Sequence, residues 1–80
     1  MPRYYFHFQF AQMTAVDEEG TCHSNLQAAH EQALASAREL LADAIKAGKH
    51  QVPDAIFIVD EDGRNLLSVS TREVLPPQLR

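Results

Sequence analysis

Residues 4–10, YYFHFQF, alternate with period two: Tyr4, Phe6, Phe8 and Phe10 fall on one side, and Tyr5, His7 and Gln9 on the other. Alternation of this kind with aromatic residues predicts a strand with one strongly apolar face. AQMTAV then turns the chain and starts a second strand, which Gly20 and TCHS finish or lead out of. From Ser24 or Asn25 the period changes. Leu26, Ala29, Ala33, Ala37, Leu40, Leu41, Ala44 and Ile45 recur at three and four, while Gln27, Glu31, Gln32, Glu39, Asp43 and Lys46 lie mostly opposite. This predicts an amphipathic helix over about residues 25–47. Ser24 with Gln27 fits a capping box, and the small alanines allow close approach to a sheet. Gly48 suits the C-terminal cap. Lys46, Lys49 and His50 suit the negative end of the helix, and Pro53 prevents its continuation.

AIFIV at 55–59 predicts a third strand, apolar on both sides. Residues 60–63 turn the chain into a fourth strand, Asn65 to Ser70, with Leu67 and Val69 on one face and Leu66, Ser68 and Ser70 on the other. TREVL adds a short helical turn, and PPQLR, residues 76–80, forms a flexible tail behind a single domain over 1–75. The expected fold is α+β, in the order ββαββ: a four-stranded, mainly antiparallel sheet with one long helix packed on one face. The most apolar strands, the first and third, belong in the centre. A grasp-like order with the first and fourth strands parallel is the competing arrangement.

The pentapeptide VDEEG at 16–20 returns as VDEDG at 59–63. A calcium loop needs oxygen ligands at alternate positions, glycine at the sixth and glutamate at the twelfth. Counted from Asp60, those two positions hold Asn65 and Thr71; counted from Asp17, the sixth holds Cys22. A turn fits better. Asp at its first position caps it, and Gly at its fourth supplies positive φ. The expectation is two hairpin turns, one in each half of the chain.

Composition narrows the chemistry. Eighty residues with 45% hydrophobic and 22% charged side chains make one globular domain. A domain of this size buries only about 60–65% of its unfolded surface. The formal net charge of −4, with scattered Lys and Arg, argues against nucleic-acid binding. Cys22 is the only cysteine, which fits a reducing, cytoplasmic setting. There is no apolar run of the ~20 residues a membrane span needs and no signal-peptide pattern. His7, Cys22, His23, His30 and His50 match no standard zinc spacing. No nucleophile–base set or phosphate loop is visible. No cofactor, metal or catalytic residue is expected.

One helix covers one sheet face. The other face is expected to carry Tyr5, His7, Gln9, Ile56, Ile58 and Leu66, a mixture of aromatic, aliphatic and hydrogen-bonding groups typical of an interaction surface. At ~1.5 Å per residue the helix spans about 34 Å, against about 23 Å for a seven-residue strand. Its end should therefore overhang the sheet.

PRYYFHF at 2–8, DEEG at 17–20, SARELLADAIKAG at 36–48 and VDEDGRNLLSV at 59–69 together resemble a bacterial family of short proteins known only as domain of unknown function 6894. The resemblance covers roughly residues 2–75 and implies the architecture already read, with no activity or catalytic residue to carry over. The expected function is a non-enzymatic protein-interaction module. It self-associates as a homo-oligomer, most simply a dimer, or binds another protein, through the helix-free face or a sheet edge. A small-ligand sensor using Tyr5 and His7 is the alternative, followed by a single-stranded nucleic-acid binder.

Overall fold

The computed structural model describes residues 1–48 and 52–79. Lys49 and His50, expected near the helix C-terminus, lie outside the described residues. The strands are β1 (Arg3–Gln9), β2 (Thr14–Ala15), β3 (Thr21–Cys22), β4 (Ala55–Val59) and β5 (Asn65–Ser70), with the helix α1 (Leu26–Ala47) between β3 and β4. Thr71–Val74 and Pro77–Leu79 form 3₁₀ turns. The sheet order is β2-β1-β4-β5, with β3 also on β1, and every pairing is antiparallel. The two most apolar strands are central, as their composition requires, and the grasp-like alternative is not formed.

The expected second strand is two short pieces, so the sheet has five strands rather than four. Phe8 and Gln9 pair with Ala15 and Thr14, whereas Arg3 and Tyr4 pair with Cys22 and Thr21. Between these pairings, Tyr5, Phe6 and His7 face five residues, 16–20. The excess breaks the edge strand in the middle. DEEG is therefore a loop within a sheet edge and not the tip of a hairpin, which lies instead at Ala11–Gln12, closed by the Phe10 N–H donating to the Met13 carbonyl.

α1 is capped by Asn25, not by a Ser24 capping box. The extended Asn25 accepts from the Ala28 N–H at 2.8 Å, satisfying one of the free donors of the first turn. Gly48 ends the helix with φ 67°. Ala29, Ala33 and Ala37, spaced by four, are at most 1% exposed. They press the helix onto Ile56, Ile58 and Val69 of the sheet, with Tyr4 also buried in the cluster and Phe6, Phe8, Leu26, Leu34, Leu67 and Val74 packed around it. Full burial of each isoleucine contributes about 1.5–3 kcal/mol. The longest dimension of the molecule, 36 Å, is close to the ~33 Å length of a 22-residue helix. Leu40 and Ile45, assigned above to the core stripe, are exposed, Ile45 by 73%.

The corner before β4 is tied to both neighbouring strands. The Asp54 N–H donates to the Gln9 carbonyl, and the Thr71 N–H donates to the Asp54 carbonyl. The buried Thr71 hydroxyl donates to the Pro53 carbonyl.

Two substitutions test how closely α1 sits on the sheet. Ala33→Leu should overpack it and lower stability by about 1–3 kcal/mol, whereas Ala42→Leu, on the exposed side, should change it by no more than about 0.5 kcal/mol. Urea midpoints of the two variants read the difference, and equal midpoints would contradict the close approach.

Candidate interaction surface

Tyr4, Phe6 and Phe8 face the helix, so Tyr5, His7 and Gln9 face the opposite side of the sheet. Directly opposed residues of antiparallel strands share a face. Tyr5 pairs with Val59, His7 with Phe57, and Gln9 with Ala55. Phe57 in turn pairs with Ser68, and Ala55 with Ser70. These are the residues of the helix-free face. Ile56 and Ile58, expected there, are instead fully buried under α1. The cause is a one-residue bulge. The turn pairs Asp60 with Arg64, and Val59 with Asn65, but Ile58 pairs with Leu67. Leu66 is the extra residue. An unbulged count would set Ile58 against Leu66, on the helix-free face. A slip of one residue exchanges the two faces of a strand.

On this face Tyr5, His7 and Phe57 are half-buried, Val59 is buried, and Gln9 and Ser68 are exposed. Leu66 is 38% exposed. Part of the cover comes from the acidic loop. A Cβ on Gly20 would stand 2.9 Å from both the Tyr4 carbonyl oxygen and the Tyr5 ring. The chain there runs hard against β1.

The loop is held by reciprocal hydrogen bonds. Along this edge of β1, the Pro2 carbonyl accepts from the His23 N–H and the Phe10 N–H donates to the Met13 carbonyl, and Tyr4 and Phe8 pair with β3 and β2. Phe6 faces the gap. Its N–H donates to Asp17 Oδ2 at 3.1 Å, so a carboxylate stands where a strand carbonyl would be. Asp17 Oδ1 accepts from the Glu19 and Gly20 N–H groups. The Asp17 N–H donates to His7 Nδ1 at 3.0 Å, which places the His7 proton on Nε2. Arg3 Nη1 donates to the Glu19 carbonyl at 2.8 Å. Burial pushes the Asp17 carboxyl up, but the N–H groups of Gly20, Phe6 and Glu19 outweigh it and hold the carboxyl below its ordinary value.

The second pentapeptide is a true hairpin turn. The Gly63 N–H donates to the Asp60 carbonyl, and Asp60 Oδ1 accepts from the Asp62 and Arg64 N–H groups, both at 2.9 Å. Gly63 has φ 83°, with open space where a Cβ would go. Both sites therefore use Asp to cap and Gly for positive φ.

The other candidate groups are dispersed. The His23 ring lies 5.7 Å from Phe6 and 6.1 Å from Tyr4, at the margin of the core, and its Nε2 is 2.9 Å from the Thr21 hydroxyl. Cys22 is exposed on β3, and His30 lies on α1. No group of three or more His, Cys, Asp or Glu is placed to hold a metal ion among the described residues. A shallow recess of about 370 Å³ lies between the start of β1 and the β4–β5 turn, lined by Pro2, Arg3, Tyr4, Asp60, Glu61, Asp62 and Leu66. The Arg3 N–H donates to Glu61 Oε1 there. Tyr5 and His7, the expected ligand-binding pair, are not among its lining residues.

The sequence profile of a family described as a domain of unknown function, DUF6894, matches residues 3–72. The chain belongs to this family. The matched DUF6894 span takes in all five strands and the helix and ends within the first 3₁₀ turn. Comparison with curated proteins and with solved structures gives no match. No helix among the described residues is long and apolar enough to cross a membrane.

Phe57, Val59 and Ala55 belong to the helix-free face and were missed from the sequence. AIFIV has no polar position to set its phase. The usable signal was the alternation of Leu67 and Val69 with Ser68 and Ser70, carried across to β4 with the bulge included.

The clamp yields two expectations. Because the Asp17 carboxyl is depressed in the folded chain, its contribution is complete above the unfolded value of about 3.9 and is lost as pH falls through the folded value. Asp17→Ala should cost about 1–2 kcal/mol at pH 7, a figure reduced for its half-exposed setting. It should also flatten the loss of stability below about pH 4. Urea melts of both chains across acid pH check this, and parallel acid limbs would count against the clamp. Separately, Gly63→Ala should cost about 1–2 kcal/mol from positive φ alone. Gly20→Ala should cost at least about 1 kcal/mol more, because the backbone of β1 must also move. Thermal melts rank the two.

Proposed function

We propose that this DUF6894 protein is a small non-enzymatic protein-interaction module of the bacterial cytoplasm, and that it self-associates through the sheet face the helix leaves uncovered or through an edge of that sheet. The observation that carries this reading is the one-sided packing. α1 buries Ile56, Ile58 and Val69 on one face, while Tyr5, His7, Phe57 and Leu66 on or beside the other face keep part of their surface in solvent. Aromatic groups beside hydrogen-bonding ones are the usual composition of a protein contact.

The titratable groups fit a structural reading better than a catalytic one. Asp17 and His7 satisfy backbone N–H groups of the edge loop, and Asp60 satisfies those of the hairpin. The lone, exposed Cys22 suits a reducing compartment. The net charge of −4 favours a protein partner over a phosphate backbone.

Native mass spectrometry of the untagged full chain is the test. The expected result is a species of two 9.0 kDa chains with no additional mass. A chain that stays monomeric and carries a co-purifying small molecule would replace this reading with ligand binding.

A further inference from the structure

The two edges of the sheet are unlike. On one side, β2 and β3 are two residues each, and between them the loop presents Glu18 and Glu19, both exposed. Short strands and charge are the usual means of keeping an edge from pairing. On the other side, β5 ends the sheet order, and its sequence, NLLSVS, contains no charged residue and no proline. The bulge bends its start at Leu66, but Leu67–Ser70 pairs regularly with β4.

The direction of its backbone groups follows from one bond. Antiparallel pairs alternate between those that exchange backbone hydrogen bonds and those that do not. The Thr71 N–H donates to the Asp54 carbonyl. Counting back in twos makes Val69–Ile56 and Leu67–Ile58 the bonded pairs of the same register. The N–H and C=O groups of Ser68 and Ser70 therefore point away from β4, along the outer edge. Among the described residues that follow, none closes that edge by pairing: Thr71–Val74 turns toward the helix layer, where it packs on α1 and Val74 joins the core.

We propose that the outer edge of β5 is the self-association site, and that its occupant is β5 of a second copy, antiparallel about a two-fold axis near Ser68. This rests on the self-association proposed above and specifies where it occurs. A second copy fits for two reasons. Each chain carries a net charge of −4, and β5 is an uncharged strip along which two such chains can meet without placing carboxylates opposite one another. Each chain also offers one long open edge, so pairing β5 with β5 consumes both and closes at two copies, as an isologous contact does. The product is one continuous sheet with both helices on the same side, and it covers Leu66 and the half-buried Leu67 of each chain.

The test uses the full chain in sedimentation velocity over a concentration series, with Ser68→Pro as the variant. Proline removes an N–H that β4 does not use and blocks the outer edge. Its dimer dissociation constant should rise at least about tenfold while the far-ultraviolet circular dichroism is retained. Ser68→Lys, which keeps the N–H and adds a charge, replaces it should the proline variant unfold. Amide hydrogen exchange in the wild-type dimer gives a reading without substitution: Ser68 and Ser70 should be protected in the dimer and lose protection on dilution to monomer. A wild-type dimer whose folded Ser68 variants associate as tightly as before, or whose Ser68 and Ser70 amides exchange freely, overturns the β5 site and leaves self-association to another surface. A wild-type chain that is monomeric throughout overturns both.

Discussion

The contact between the alanine ridge of α1 and the isoleucines of β4 is the constraint on which the rest depends. Ala29, Ala33 and Ala37 carry only methyl groups, so the helix axis can lie close over Ile56, Ile58 and Val69. That choice commits every strand, because alternate side chains point to opposite faces. Once Ile56 and Ile58 face the helix, Phe57 must face away, and through cross-strand pairing Tyr5, His7 and Ser68 share its side. A single helix has nothing left with which to cover that second face. The character of the uncovered surface is thus a consequence of how the core is packed.

Backbone hydrogen bonding imposes the second constraint. β1 must satisfy its N–H and C=O groups on two sides. β4 serves one side continuously over five residues, but β2 and β3 serve the other only at its ends. In the middle, Asp17 supplies a carboxylate as acceptor for the Phe6 N–H and donates its own N–H to the His7 ring. The same five-residue pattern at 59–63 turns a hairpin. What separates the two is their surroundings: Gly20 lies against the β1 backbone, whereas Gly63 lies in open space.

This difference marks how far the chain could be read before its structure. Period-two and period-3.6 patterns are local, and they located β1, α1, β4 and β5 within a residue or so. The central positions of β1 and β4 followed from their apolar content. Features that depend on one residue's offset were not legible. Asn25 caps the helix and its neighbour Ser24 does not, although either side chain has the chemistry. AIFIV reads the same in either phase, and the extra residue Leu66 reverses the phase that a simple hairpin count gives. Ile56 and Ile58 were accordingly placed on the wrong face. The break between β2 and β3 was invisible because it is defined by the count of residues opposite Tyr5, Phe6 and His7, not by anything in the loop itself.

The small size of the core connects these constraints to association. Three of the seven residues in the central cluster are alanines, and burying a methyl contributes far less than burying an isoleucine or leucine. Close packing of the helix is thus obtained with little apolar area, in a chain of 80 residues that has little to spare. Ile45 and Leu66 meanwhile remain in solvent. A fold in this position gains from any contact that removes further apolar surface and pairs an open strand, because binding that favours the folded state adds to its stability by mass action. The acidic, interrupted β2–β3 side is built against such a contact, and the uncharged β5 side is not. The asymmetry also limits the outcome: with one pairing edge per chain, the sheet can double but cannot propagate.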